Sequence, residues 1–347
     1  MIKNKKLIYI LLLVMMIPLL TGCVRVLRDD DNNVVRNPET GQNLTSNIMC
    51  RPTDPEIIKK YQENGVDIEE LPACTDLTIG GEYVGIWFNI FIKPLAVGIV
   101  QLGSVVGNIG LSVILLGLII RIIAMPITKK IAIQSENTKR AKPELNKLEK
   151  KFKGKTDQAS ILKKNQEMSA IYKKYNINPV VGCLFAAIQL PIFLAFFEAI
   201  NRVPIIFESS LLTLQLGTTP LHGIQNGNFI YLLLIVLLVV TTYYSFNFSQ
   251  KDMAIATPGP MNSKMMIYGL LIFITIAGVN LPTAILLYWI TSSGFTIGQN
   301  LYLQKTRKAD ELTTEIKEVK VKKKETEPEQ KTSTKKNKNT SKKGGKK

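Results

Sequence analysis

Apolar runs and lysine-rich runs alternate along this 347-residue chain. A run of about 18 or more apolar residues predicts a membrane-crossing helix, because about 20 residues at ~1.5 Å rise cross a hydrocarbon core of ~30 Å. Five spans are predicted, at 109–128, 180–200, 229–247, 265–279 and 282–303. The fourth and fifth share one run, with GVNLPTA as the turn between them. The fourth, at about 15 residues or ~22 Å of helix, is short for a bilayer and implies local thinning. A further apolar stretch at 83–108 is interrupted by Lys93-Pro94 and by glycines. It predicts an amphipathic helix lying in the membrane interface, with Trp87 and Lys93 at headgroup level.

The polar runs carry their own periodicity. Within 129–178, Leu145, Leu148 and Phe152 recur at helical spacing, as do Ile161, Met168, Ile171 and Tyr175, with a break at Gly154-Lys155. Two arms folded as an antiparallel hairpin would bury those faces, and Asn178-Pro179 ends the second arm. From 304 onward no apolar period remains, which predicts a disordered tail. Residues 24–82, with 12 acidic and 6 basic side chains, read as an extracytoplasmic, partly disordered polar segment.

Overall the chain is 46% hydrophobic and carries a net charge of +17. The surplus sits in two places: 129–178 has 14 Lys/Arg against 5 acidic residues, and 304–347 has 16 against 7. Five spans with the mature N-terminus outside place both segments in the cytoplasm, as the positive-inside rule requires; a sixth span at 83–108 would export both. At the N-terminus, Lys3, Lys5 and Lys6 precede an apolar run that ends in LTGC at 20–23. This predicts a secretory signal over 1–22. It is similar to a bacterial lipoprotein signal, which would make Cys23 the lipidated first residue of the mature chain; an uncleaved anchor is the alternative. Of the other cysteines, Cys50 and Cys74 fall on the outer side and are able to pair or to stay free, while Cys183 reads as a small core residue.

Chemistry-bearing motifs are few. GKT at 154–156 lacks the upstream glycine of a phosphate loop, since position 149 is glutamate. His222 is the only histidine, and neither a metal cluster nor a nucleophile–base pair can be assembled around it. An enzyme is therefore not expected, nor a cofactor or metal. Arg121 stands out instead, because an arginine at membrane depth costs roughly 2.5–3.5 kcal/mol on insertion scales. Two readings are open: its side chain snorkels to the cytoplasmic end of the helix, or it lines a water-filled cavity. Other polar groups share its depth. Gln189 sits in the second span, Thr241, Tyr244, Ser245 and Phe248 form a stripe on the third, and Trp289, Ser293, Thr296 and Asn300 form one on the fifth. Each alone suits interhelical packing. Together, with no acidic mate for Arg121 in the spans, they favour a half-open polar groove.

The segments GLSVILLGLIIRIIAMPITKK (110–130), INPVVGCLFAAIQLPIFLAFFEAI (177–200) and LPTAILLYWITSSGFTIGQNLYL (281–303), with the basic hairpin between the first two, resemble the YidC/Oxa/Alb family of membrane-protein insertases. The resemblance runs over about 85–305. It implies an all-α membrane protein of five transmembrane helices, with a hydrophilic groove open to the cytoplasm and the lipid but closed outside. Arg121 matches the family's groove arginine; Gln189 and Trp289 fall in matching span patterns, with Ser293 beside the latter. Thr241 and Tyr244 rest on the stripe alone. The implied activity is insertion of newly synthesised membrane proteins without nucleotide hydrolysis. Nascent membrane proteins, membrane lipids and ribosomes, the last through the basic tail and hairpin, are the expected partners, with the general secretion translocon a further candidate. A small-anion secondary transporter and a lipid-anchored ribosome-recruiting scaffold are the alternatives.

Overall fold

A computed structural model of the chain describes residues 24–81, 83–178, 180–249 and 263–326, with backbone alone at 180–188, 249, 263–267 and 307–326. The signal segment, Cys23, the Cys183 side chain and the end of the tail lie outside the described residues. The chain divides into two units, 1–301 and 302–347.

Residues 24–81 are folded, which corrects the expectation of partial disorder. Isolated bridges join Val26 to Thr45, Arg28 to Val34 and Arg36 to Asn43. Helix α1, Pro55–Glu63, starts on Asp54, whose carboxylate accepts from the Glu56 amide at 2.8 Å. Its buried face, Ile57 and Tyr61, packs on Leu27, Leu44, Ile48 and Ile68. A disulfide joins Cys50 and Cys74. It closes a loop of the segment on itself, which limits the freedom of the unfolded chain. Six apolar side chains and one cross-link thus do what composition alone did not suggest.

A single turn of π-helix, Phe88–Ile92, leads into α2, Lys93–Val106. Trp87 is only 2% exposed and donates its indole N–H to Glu198 at 3.0 Å. It is a core residue rather than the headgroup anchor expected. The chain then reverses at Gly107, φ 72°, and Asn108 caps α3 by accepting from the Leu111 amide at 2.9 Å. Gly98 and Gly103 let α2 lie close along α3, where a Cβ would meet Leu116 and Ser112 at 3.2 and 3.3 Å.

Helix α3 runs unbroken over Ile109–Lys151, 43 residues. The separate span and hairpin arm of the sequence reading are therefore one helix, since no glycine or other stop signal divides them and Pro126 and Pro143 are accommodated within it. Gly154, φ 79°, turns the chain into α4, Gln158–Lys174. The arms are antiparallel: Lys151 meets Glu167, and further back Glu144 pairs with Lys174. Ala141, Leu145 and Ile177 pack with Met168, Ile171, Tyr172 and Tyr175. Ile161 is 48% exposed, not on the packed face, because it lies in the first turn of α4.

Helix α5, Val180–Asn201, continues into the short α6, Pro204–Glu208. A two-stranded hairpin, β1 Ser210–Leu211 with β2 Leu214–Gln215, and α7, Pro220–Gln225, lead to α8, Ile230–Ser249. Helices α9, Ser263–Asn280, and α10, Thr283–Thr326, follow. At 18 residues, or ~27 Å, α9 is longer than the 15 expected. The backbone of α10 stays helical to Thr326, where disorder was expected from 304. Strong helix formers there supply the local preference.

Among the described residues Phe88–Val106, Ile109–Lys151 and Ile230–Phe248 are long and apolar enough to cross a membrane, with shorter apolar stretches at Gln189–Asn201 and Tyr268–Asn280. The main core joins all of this: Cys50, Cys74 and Leu77 pack in one cluster with Trp87, Ile99, Val113, Phe196, Ile200, Leu238, Ile285 and Tyr288. The folded N-terminal segment thereby sits on one end of the helices, hereafter the capped end.

Candidate functional site

Arg121 lies about 12 residues into α3, Ser292 about 9 into α10, and Gln189 about 12 before the end of α5. At ~1.5 Å per residue all three stand ~14–18 Å from the capped end. They meet. Arg121 Nε donates to Ser292 Oγ at 2.7 Å, and Nη2 donates both to Ser292 Oγ and to Gln189 Oε1, the latter at 2.7 Å. The guanidinium is 6% exposed and has no carboxylate partner among the described residues. Neutral acceptors on two other helices hold it at mid-depth, so the side chain does not reach for the helix end as the snorkelling reading required.

Close packing makes this reach possible. Gly117, one turn before Arg121, faces Tyr288, one turn before Ser292; a Cβ at 117 would stand 3.3 Å from Tyr288 Cδ2. Tyr288 in turn stacks on Phe196 with ring centroids 4.0 Å apart. Alongside, Phe193 and Trp289 meet edge to face at 4.8 Å. Both aromatic pairs tie α5 to α10 between the arginine and the capped end.

These groups border a cavity of about 330 Å³. Its lining includes the polar side chains of Arg121, Gln189, Ser245, Ser292, Ser293 and Thr296 and the apolar ones of Leu190, Phe193, Phe246, Leu270, Phe273, Ile274 and Trp289. Leu190, Leu270 and Phe273 are 44%, 38% and 68% exposed, so the apolar lining continues onto the outer face of the helices. No group of three or more potential metal ligands exists among the described residues.

Of the sequence-derived candidates, Arg121, Gln189, Trp289 and Ser293 come together at this cavity. Thr241 and Tyr244 do not line it. Thr241 donates its hydroxyl back to Leu237 O at 2.7 Å, which satisfies it within its own helix. Tyr244 is 47% exposed and packs edge-on against Tyr243. Ser245, one position on, is the α8 residue that faces in. Ser292 was missed although a signal existed: adjacent serines sit ~100° apart on a helix, so Ser292-Ser293 presents hydroxyls on two faces, and Ser292 meets Arg121 while both border the space.

Comparison with known proteins follows the same residues. The family model described as 60Kd inner membrane protein matches 101–311. Membrane protein insertase YidC 2 of Bacillus anthracis is 34% identical over 238 residues, 67% of this chain and 87% of its own length. Membrane protein insertase YidC of Oceanobacillus iheyensis is 30% identical over 243 residues, 69% and 92% of the two chains. Membrane protein insertase MisCA of Bacillus subtilis is 32% identical over 221 residues, 63% and 79%. A crystal structure of an active YidC insertase covers 70% of this chain and 49% of its own at 20% identity and a TM-score of 0.45, a likeness that adds nothing to the sequence match. The matched stretch contains Arg121, Gln189 and Ser292 together with the hairpin between α3 and α5, and the chain belongs to the YidC/Oxa family of membrane protein insertases.

Proposed function

We propose that the cavity around Arg121 is the groove through which hydrophilic segments of newly made membrane proteins enter the bilayer. The observation that carries this reading is one space lined both by polar groups around a guanidinium and by apolar side chains that continue onto the helices' outer face. A client helix with a short polar tail needs both. Each unsatisfied polar group in hydrocarbon costs several kcal/mol, and a hydrated recess shortens the path over which that cost is met. Ser292 and Gln189 occupy Arg121 Nε and Nη2, while Nη1 makes no hydrogen bond among the described residues. That nitrogen offers an acidic tail a charge-assisted contact. Water competes with the contact and lets the tail go. Removal of the client's apolar helix from water, along the apolar lining and into lipid, then drives the step, with no nucleotide hydrolysed.

In this reading five helices span, namely the first part of α3, then α5, α8, α9 and the first part of α10, with the capped end outside. Length and composition leave α2 able to cross; charge parity makes it interfacial, since a sixth span would export both basic segments. The hairpin at 129–178 and the tail, each net +9, face the cytoplasm and attract ribosomal RNA phosphates and anionic lipid. Cys23 carries the lipid.

The test is depletion of the chromosomal copy and complementation with Arg121→Ala or Arg121→Lys, scored on clients with acidic N-terminal tails and on the same clients with the tails neutralised. Alanine is expected to block the acidic-tailed clients, and lysine, which keeps charge without the planar fork, to restore part of the activity. Full insertion of acidic-tailed clients by the alanine variant would end the proposal.

A further inference from the structure

Residues 24–81 lie outside the family-matched stretch, yet they are bonded to the helices at several points. Met49 donates its amide N–H to Arg202 O at 2.8 Å, directly after the last residue of α5. The Glu208 carboxylate on α6 accepts from the amides of Thr53 and Asp54 at 2.8 and 3.2 Å and from Thr53 Oγ1 at 2.5 Å. Between these two attachments sits Cys50, 0% exposed and bonded to Cys74, so the disulfide fixes the segment where it grips the helices. Beneath it, Arg202 pairs with Glu198 at 2.8 Å, Glu198 accepts from Trp87, and the Phe88 ring lies 5.4 Å from the Arg202 guanidinium carbon. Every one of these contacts converges on the capped end of α5 and its continuation.

Helix α5 needs holding. Pro191 lies within it, two residues after Gln189. A proline in a helix removes one backbone hydrogen bond and frees a carbonyl one turn earlier, which makes a bending point. The half beyond it, with Phe196, Ala199 and Ile200 all 0% exposed, is fixed in the core. Gln189 sits on the other side of the weak point, and its bond to Arg121 depends on where the fixed half points.

We infer that residues 24–81 are a clamp on the capped end of α5 and that, through α5, the clamp sets the Gln189–Arg121 contact; the inference rests on the groove reading above. Glu198, Arg202 and the Cys50–Cys74 bond are positioning elements, remote from the client. Loss of the bond releases Met49 and Thr53 together, and α5 is then free to bend at Pro191.

The test uses the full-length protein in lipid nanodiscs. Amide hydrogen exchange is followed in the oxidised protein, after dithiothreitol, after reoxidation, and in the C50S/C74S variant. Amides of 189–202 are expected to exchange roughly tenfold faster on reduction and to recover on reoxidation, as local opening becomes easier. In proteoliposomes the reduced protein is expected to lose insertion of an acidic-tailed client several-fold while a neutral-tailed client is spared. Simple loss of stability would slow both alike. Faster exchange confined to 24–81, or equal loss with both clients, overturns the clamp. An Arg121→Ala arm separates the two ideas: if it leaves the acidic-tailed client unaffected, the groove reading fails, and the clamp is judged on α5 exchange alone.

Discussion

Replacing Ser292 with alanine removes the hydroxyl that accepts from Arg121 Nε and Nη2. A hydrogen bond to a charged group contributes about 1.5–3 kcal/mol, and a buried donor left unmet costs about 1–3 kcal/mol. The outcome therefore depends on what enters the vacated place. The adjoining cavity, about 330 Å³, has room for several water molecules. A water can then replace the hydroxyl, at an ordering cost of ~0–2 kcal/mol. Ser292→Ala is expected to cost less than about 1 kcal/mol, whereas Ser292→Val, whose extra methyl excludes that water, is expected to cost about 2–3 kcal/mol. Equilibrium unfolding in bicelles measures both, and client insertion by the alanine variant is expected to stay near the wild-type level. Equal losses near 2 kcal/mol for the two variants would mean that water does not reach the guanidinium, and the argument for a hydrated groove would fail.

Gly117→Leu is expected to force α10 away from α3 at Tyr288, costing about 1–3 kcal/mol and most insertion of acidic-tailed clients; Gly117→Ala, whose Cβ would need Tyr288 to yield by a few tenths of an ångström, is expected to be milder in both assays. At Gly41, φ 71°, a Cβ would lie 2.8 Å from His222 Cγ, so Gly41→Ala combines left-handed strain of about 1–2 kcal/mol with a clash; it is expected to speed proteolysis of 24–81 before that of the helices. In the hairpin, Lys174 and then the Tyr175 hydroxyl, at 2.9 Å, hold the Glu144 carboxyl below the usual carboxylate range, and Glu144 raises Lys174 above the usual ammonium range. The carboxylate's contribution is present above its unfolded value near ~4.3 and is lost as pH falls through the folded one; the lysine's is present below ~10.4 and is lost as pH rises through the folded one. A spin-label distance between positions 150 and 164 is expected to stay constant from about pH 5 to 10 and to broaden beyond, with Glu144→Gln removing the pH dependence. The pair is exposed, so added salt should shrink the effect.

Arg121 and Gln189 were readable from the chain alone because a strongly polar group inside a long apolar run carries a cost that only a partner can offset. Which face of α8 turns inward was not. That helix is apolar nearly all round, so its neighbours decide between Tyr244 and Ser245, and neighbours are not written in a local pattern. The order in 24–81 was hidden for a different reason. Only Ile57 and Tyr61 are at helical spacing; Leu27, Leu44, Ile48 and Ile68 come from separate loops, and their packing depends on bridges and a disulfide between distant positions. The continuity of α3 escaped notice because the change from apolar to basic composition marks the end of lipid, not the end of a helix.

That continuity has a mechanical consequence. About 30 residues, or ~45 Å, separate Arg121 from the hairpin tip along one helix, with Pro126 and Pro143 as bending points on the way. A bend of about 10° at Pro126 would swing the tip, about 25 residues or ~38 Å further on, by ~7 Å while leaving Arg121 in place. The basic arm is therefore able to move on these two points without turning the charged centre of the bundle.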